Sequence, residues 1–187
     1  MKINLKKVRL SFPDLFTAKA FEEGGTATYG CTLLVEPDSA NDKAIRNAMK
    51  AAAEEKWGVK HAPILKAALA ANNGQKVCFW SGDTKEYDGY TGMMALTAKR
   101  NESKGRPLVI DRDKSPLVEA DGRPYAGCFV NASVEIWPQD NKYGKTLRCE
   151  LLGVQFAADG DAFSAGSVAD ESDFDDLSDS GDADDLA

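Results

Sequence analysis

Tyrosines and cations interleave along the second half of this chain, a mixture suited to a polyanion that also presents flat rings. Tyr87 and Tyr90 flank Gly89. Lys99, Arg100, Lys104 and Arg106 follow, then Arg112 and Lys114, and Lys142, Tyr143, Lys145 and Arg148 form a second cluster. Unpaired nucleic acid asks for such a set: cations track phosphates, while rings stack on bases without requiring a sequence. Trp80 is a further stacking candidate, because its neighbour Phe79 must face the opposite side if both lie in one strand. Trp57, Phe79, Phe129, Trp137 and Phe156 read as core or rim packing.

Catalysis finds less support. His61, the one histidine, sits in Lys60-His61-Ala62-Pro63, a polar linker where exposure to water is the simpler reading. There is no phosphate-binding loop, dinucleotide fingerprint or acyl-transfer signature. Asp83, Glu86 and Asp88 cluster, but their spacing does not match a calcium loop and Lys85 lies among them. Cys31, Cys78, Cys128 and Cys149 form no CxxC pair and read as buried thiols of a reducing compartment. The reading is therefore a binding protein, not an enzyme, with no metal or organic cofactor.

Charge is separated by position. After Arg148 there is no Lys or Arg, and residues 157–187 carry 11 acids, whereas the first 156 residues carry a formal charge of +4. The overall −7 thus hides a mildly basic body joined to an acidic arm. Like charges and scarce apolar area predict that this arm stays disordered. Asp173-Phe174-Asp175-Asp176-Leu177 is its densest mixed segment, and Asp184 and Asp185 lie near its end. These residues are expected to compete with a polyanion for the body and to recruit partner proteins.

The elements that must position the candidate residues are mostly strands. Residues 3–12 alternate, slip at Lys6-Lys7 as a bulge would, and stop at Pro13. Residues 16–25 read as a loop and 26–36 as a second strand. Asp38 or Ser39 caps a helix to Trp57, stopped by Gly58, and Pro63 opens an Ala-rich helix to about Asn72. Further strands are expected at 76–80, 92–100, 108–110, 127–137 and 145–156, the last two as a hairpin around 138–144. No stretch approaches the ~20 apolar residues of a membrane span. The order predicts an OB-like antiparallel barrel over residues 1–156, with a helical insertion between strands and the tail at 157–187.

Two segments carry a family resemblance: Arg9-Leu10-Ser11-Phe12-Pro13-Asp14-Leu15-Phe16 with Tyr29-Gly30-Cys31-Thr32-Leu33-Leu34, and Tyr125 to Val134 continuing into Asp140-Asn141-Lys142-Tyr143-Gly144-Lys145. They resemble a bacteriophage family of single-stranded-DNA-binding proteins. The resemblance implies an OB-type fold and sequence-tolerant binding of single-stranded DNA in phage replication or recombination. It further implies residence in the cytoplasm of an infected bacterium. The end Asp185-Leu186-Ala187 differs from the compact Asp-Phe ending of many bacterial tails. Replication proteins of phage or host are the expected partners, and the chain is expected to be a monomer or homodimer. The rival readings are a DNA-mimic or protein-interaction module, and a strand-annealing protein.

Overall fold

A computed structural model describes residues 1–71 and 77–164. Seven strands form the sheet: β1 Lys2–Lys19, β2 Thr28–Val35, β3 Phe79–Ser81, β4 Met94–Asn101, β5 Leu108–Ile110, β6 Phe129–Asn141 and β7 Gly144–Ala158. Their order is β3-β4-β2-β1-β6-β7-β5, and a further pairing of β4 with β7 closes a ring of five. Each ring pairing is antiparallel except β4–β7, which meets in parallel at Lys99↔Glu150. Counting only the ring strands in chain order, the neighbours run 1-2-3-5-4 and back to 1. The barrel is thus OB-like, as the sequence predicts.

Alternation decides what fills the ring. Leu5, Leu10, Leu33, Leu96, Val130, Ile136, Leu147 and Leu151 are fully buried inside it. Helix α1 (Ala40–Trp57) packs Ile45, Met49 and Ala52 against this core, and α2 (His61–Ala70) follows it. Ser39 caps α1 by accepting from the Asp42 amide at 3.2 Å, and Gly58 ends it at φ 53°. The second helix begins two residues before Pro63, which stands in the first turn, where a missing N–H costs nothing. Asn73 and Gly74, expected to close it, lie outside the described residues. Among the described residues no helix is long and apolar enough to cross a membrane.

The slip at Lys6-Lys7 is a bulge: the β1–β6 register shifts between Leu5 and Val8, and Lys7 has φ 51°. Pro13, however, does not end β1. The β1–β2 register shifts between Ser11 and Asp14, so the strand runs past Pro13 to Lys19 and shortens the expected loop to residues 20–27. The β6–β7 hairpin is also longer than expected, because pairing continues to Asn141↔Gly144 and leaves Lys142-Tyr143 as a two-residue tip.

Ring closure at β4–β7 is reinforced by charge. Glu150 accepts from Arg100 at 2.8 Å and from Lys104 at 2.6 Å. Arg100 also donates to the carbonyls of Gly105 and Lys104, at 2.8 and 2.9 Å. Its guanidinium is therefore consumed by the seam. Arg100→Leu is expected to cost about 1–3 kcal/mol of stability, seen as a lower melting temperature, with little change in affinity for oligo-dT.

Candidate nucleic-acid interface

The outer face of β2 and β4 is the part of an OB barrel that, with the loop joining its first two strands and the loop of its last hairpin, receives oligonucleotides. Here those loops are residues 20–27 and the Lys142-Tyr143 tip. The outer face is already covered around Leu34 and Ala95. The loop Gly82 to Met93 folds back across it, closed by the Asp83 carboxylate accepting from the Gly92 amide at 2.7 Å and pinned by Tyr90. Tyr90 is 1% exposed, packs on Leu34 and Ala95, and donates to Ser11 Oγ at 3.1 Å. Burial raises its phenol pKa above the ordinary value. Tyr90 thus leaves the stacking set. Trp80 lies beside it at 5.9 Å between centroids, and its indole N–H donates to Thr97 Oγ1 at 3.0 Å, so its ring is a half-buried wall.

What remains open is a channel of four depressions that share walls. The first lies between Phe12, Tyr87 and Phe163. Phe12, Asp14 and Lys19 connect it to a groove of about 420 Å³ over Gly30, Thr97 and Lys99. Thr97 and Lys99 continue into a depression of about 580 Å³ between Trp137, Lys104 and Arg148. Gln139 and Arg148 lead on to a fourth, of about 730 Å³, between α2 and the hairpin tip with Tyr143 and Lys145.

The predicted cations divide along this path. Lys99 lines both central depressions and has no ion-pair or hydrogen-bond partner among the described residues. Arg148 is held by Gln139 at 2.7 Å, Lys145 faces Asp140 at 3.6 Å, and Lys142 lies 4.9 Å over the Tyr143 ring. Arg100 and Lys104 are tied to Glu150. Arg106 sits over Phe16 and Arg112 over Phe156, and with Lys114 they line none of the four depressions. The tail candidates Asp173, Phe174, Asp175, Asp176, Leu177, Asp184 and Asp185 lie outside the described residues.

The family model for the single-stranded-DNA-binding protein of Enterobacter phage Enc34 matches residues 1–186. The chain belongs to this family. It is 46% identical over 180 residues to the putative protein p50 of Acyrthosiphon pisum secondary endosymbiont phage 1, covering 95% of each chain. The solved structure of the Enc34 protein in complex with single-stranded DNA superposes with a TM-score of 0.71 at 27% identity, covering 87% of this chain and 89% of that one. The fold, at 14% identity and a TM-score of 0.54, is shared with gp2.5, a single-stranded-DNA-binding protein of bacteriophage T7. That likeness covers 99% of this chain and 100% of that one.

In this family member three exposed rings on the channel escape a reading by cluster alone. Phe12 is 55% exposed and meets Tyr87 edge-on at 5.1 Å. Its φ of 47° is a left-handed conformation that costs a bulky residue about 1–3 kcal/mol and lies within the β1 register shift. Phe21 is 95% exposed on the 20–27 loop. Trp137 faces outward opposite Arg148, with Ile136 buried beside it. Two signals were available: a lone aromatic in a polar loop, and the period-2 alternation of β6.

The chain beyond β7 stays packed on the body through Ser164. The Phe163 amide donates to the Ala126 carbonyl at 3.0 Å, Arg9 lies 4.4 Å over the Phe163 ring, and the Ser164 amide and hydroxyl donate to Asp88 at 3.1 Å. Gly127 and Gly89 permit this approach: at φ 101° and 77°, a Cβ would stand 2.1 Å from the Asp161 carbonyl and 2.5 Å from the Phe163 ring.

The thiols offer no reactive centre. All four cysteines are free and buried, and desolvation pushes Cys31 and Cys78 up to about 12 and Cys128 up to about 11. No group of three or more metal-ligating side chains occurs among the described residues. His61 Nδ1 lies 2.8 Å from the Gly58 carbonyl, a local contact at the end of α1.

Proposed function

We propose that this protein binds single-stranded DNA with little sequence preference, coating and protecting exposed strands during phage replication or recombination without chemistry of its own. The observation that carries the reading is the continuous channel over the outer β2–β4 face, with open rings at Phe12, Tyr87, Phe21, Trp137 and Tyr143 and an unpaired cation at Lys99. Membership of the Enc34 family and likeness to a solved DNA complex support it. A channel of this kind suits a flexible strand whose bases can splay onto rings. A duplex keeps its bases stacked away from them. The acidic segment after Ser164 is proposed to occupy part of the channel when DNA is absent and to recruit replication proteins when displaced.

The test is a titration of fluorescent oligo-dT and its duplex counterpart with the full chain at several salt concentrations. Tighter binding of the single strand with a clear salt slope is expected. Absence of binding by folded protein would overturn the reading and favour a protein-interaction module. Tyr143 is 85% exposed at the hairpin tip, and stacking on it is worth ~1–3 kcal/mol if the strand reaches the fourth depression. Tyr143→Ala is therefore expected to weaken oligo-dT binding roughly five- to a hundredfold. Unchanged affinity would place the strand's path short of the tip.

A further inference from the structure

We propose that the cavity between Phe12, Tyr87 and Phe163 is a pocket for one unpaired nucleobase, and that it favours a base bearing an amino donor, guanine above all, over thymine. The inference rests on the single-strand reading and adds a local preference to it. The cavity, about 610 Å³, lies within the range of ~300–1,000 Å³ typical of small-molecule pockets. Phe12 is held outward at φ 47°, with Tyr87 edge-on against it, so the two rings stand open at the end of the channel instead of collapsing into the core. The third ring, Phe163, lies between the Arg9 guanidinium on one side and Gly89 on the other and forms a wall of the cavity.

The polar atoms around these rings select what enters. Glu86 lines the cavity and has no partner among the described residues. Asp88 uses one oxygen, Oδ2, to hold Ser164. Asp14 is paired with Lys19, so the one cation on the lining is neutralised. Such a rim repels phosphate, and the cation that suits phosphate, Lys99, stands in the neighbouring groove. A strand crossing that groove would keep its backbone at Lys99 and turn a base toward the rings.

Carboxylates only accept hydrogen bonds. Guanine offers N1–H and the N2 amino group side by side, which a carboxylate can accept in bidentate fashion. Adenine and cytosine offer one amino group. Thymine offers a lone N3–H between two carbonyl oxygens, whose lone pairs oppose the carboxylate. A site built to accept from amino groups discriminates against a base that lacks them.

The experiment compares oligo-dT with the same oligonucleotide carrying one central guanine, adenine or cytosine, using the full chain at fixed salt. Guanine is expected to tighten binding by about fivefold or more, with adenine and cytosine between it and thymine. Glu86→Gln, an exposed substitution that adds a donor, is expected to erase the guanine advantage, with the all-thymine strand bound at least as tightly as before because a phosphate-repelling charge is lost. Equal affinities across the four oligonucleotides, with oligo-dT still bound, would overturn the pocket and leave the single-strand reading standing. A guanine advantage that survives Glu86→Gln would equally overturn the carboxylate assignment. Failure to bind any of them would remove both readings together.

Discussion

Lys99→Glu is expected to weaken binding to oligo-dT by about tenfold or more at low salt. Lys99 occupies the point where β4 passes from β2 to β7, paired with Gly30 on one side and Glu150 on the other. Its stem lies across Gly30, where an added Cβ would stand 3.3 Å from Lys99 Cγ, so the glycine makes room for the lysine on the groove floor. Both central depressions meet at this side chain, and no acid neutralises it among the described residues. Reversal removes one counterion-releasing contact and installs a repulsive one, so the salt slope should also fall by about one to two. Lys114→Glu is the control, since it makes the same charge change on a turn that lines none of the channel. Fluorescence anisotropy at three salt concentrations decides. Equal losses in both variants would mean that only net charge matters, and an unaffected Lys99→Glu would move the strand off the β2–β4 face.

The contrast between these two lysines marks how far the sequence could be read. Both sat in cation-rich segments, Lys99 near the end of the expected strand 92–100 and Lys114 just after the one at 108–110, and nothing in their composition marks one as a DNA contact and the other not. What separates them is ring closure, which brings β4 to β7 at Glu150 and sets β5 farther along the same edge of β7, at Gly153 to Gln155. Barrel, helical insertion and hairpin were legible because each follows from local rules: alternation for strands, a broken alternation at Lys6-Lys7 for the bulge, a Ser39 cap and a Gly58 stop for α1. Tyr90 and Arg100 were misread because their partners are distant in sequence. Tyr90 bonds to Ser11, 79 residues away, and Arg100 to Glu150, 50 residues away. Phe12 was hidden for a different reason. Its place in an alternating strand gave no sign that the register shift before Asp14 would turn its ring out to solvent.

Removing residues 165–187 is expected to tighten oligo-dT binding by about tenfold or more at low salt, with the difference closing as salt rises. These residues carry nine acids and no cation. A tethered segment meets its own body at an effective concentration that reaches the millimolar range for short flexible linkers, so weak contacts suffice to compete. The tether begins beside the channel, because Phe163 and Ser164 are themselves walls of the depression that holds Phe12 and Tyr87. The cut belongs after Ser164. A cut at residue 156 would strip Tyr125 of its bonds to Asp159 and Gly160, at 2.8 and 3.1 Å, and expose the seat of Phe163, mixing lost stability with altered affinity. Screening acts on the tail's carboxylates and on the DNA phosphates alike, so each affinity falls with salt, and the ratio between the two proteins should approach one. Equal affinities at low salt would show that the acids leave the channel alone. Weaker binding after the cut would assign the tail a supporting contact instead of a competing one.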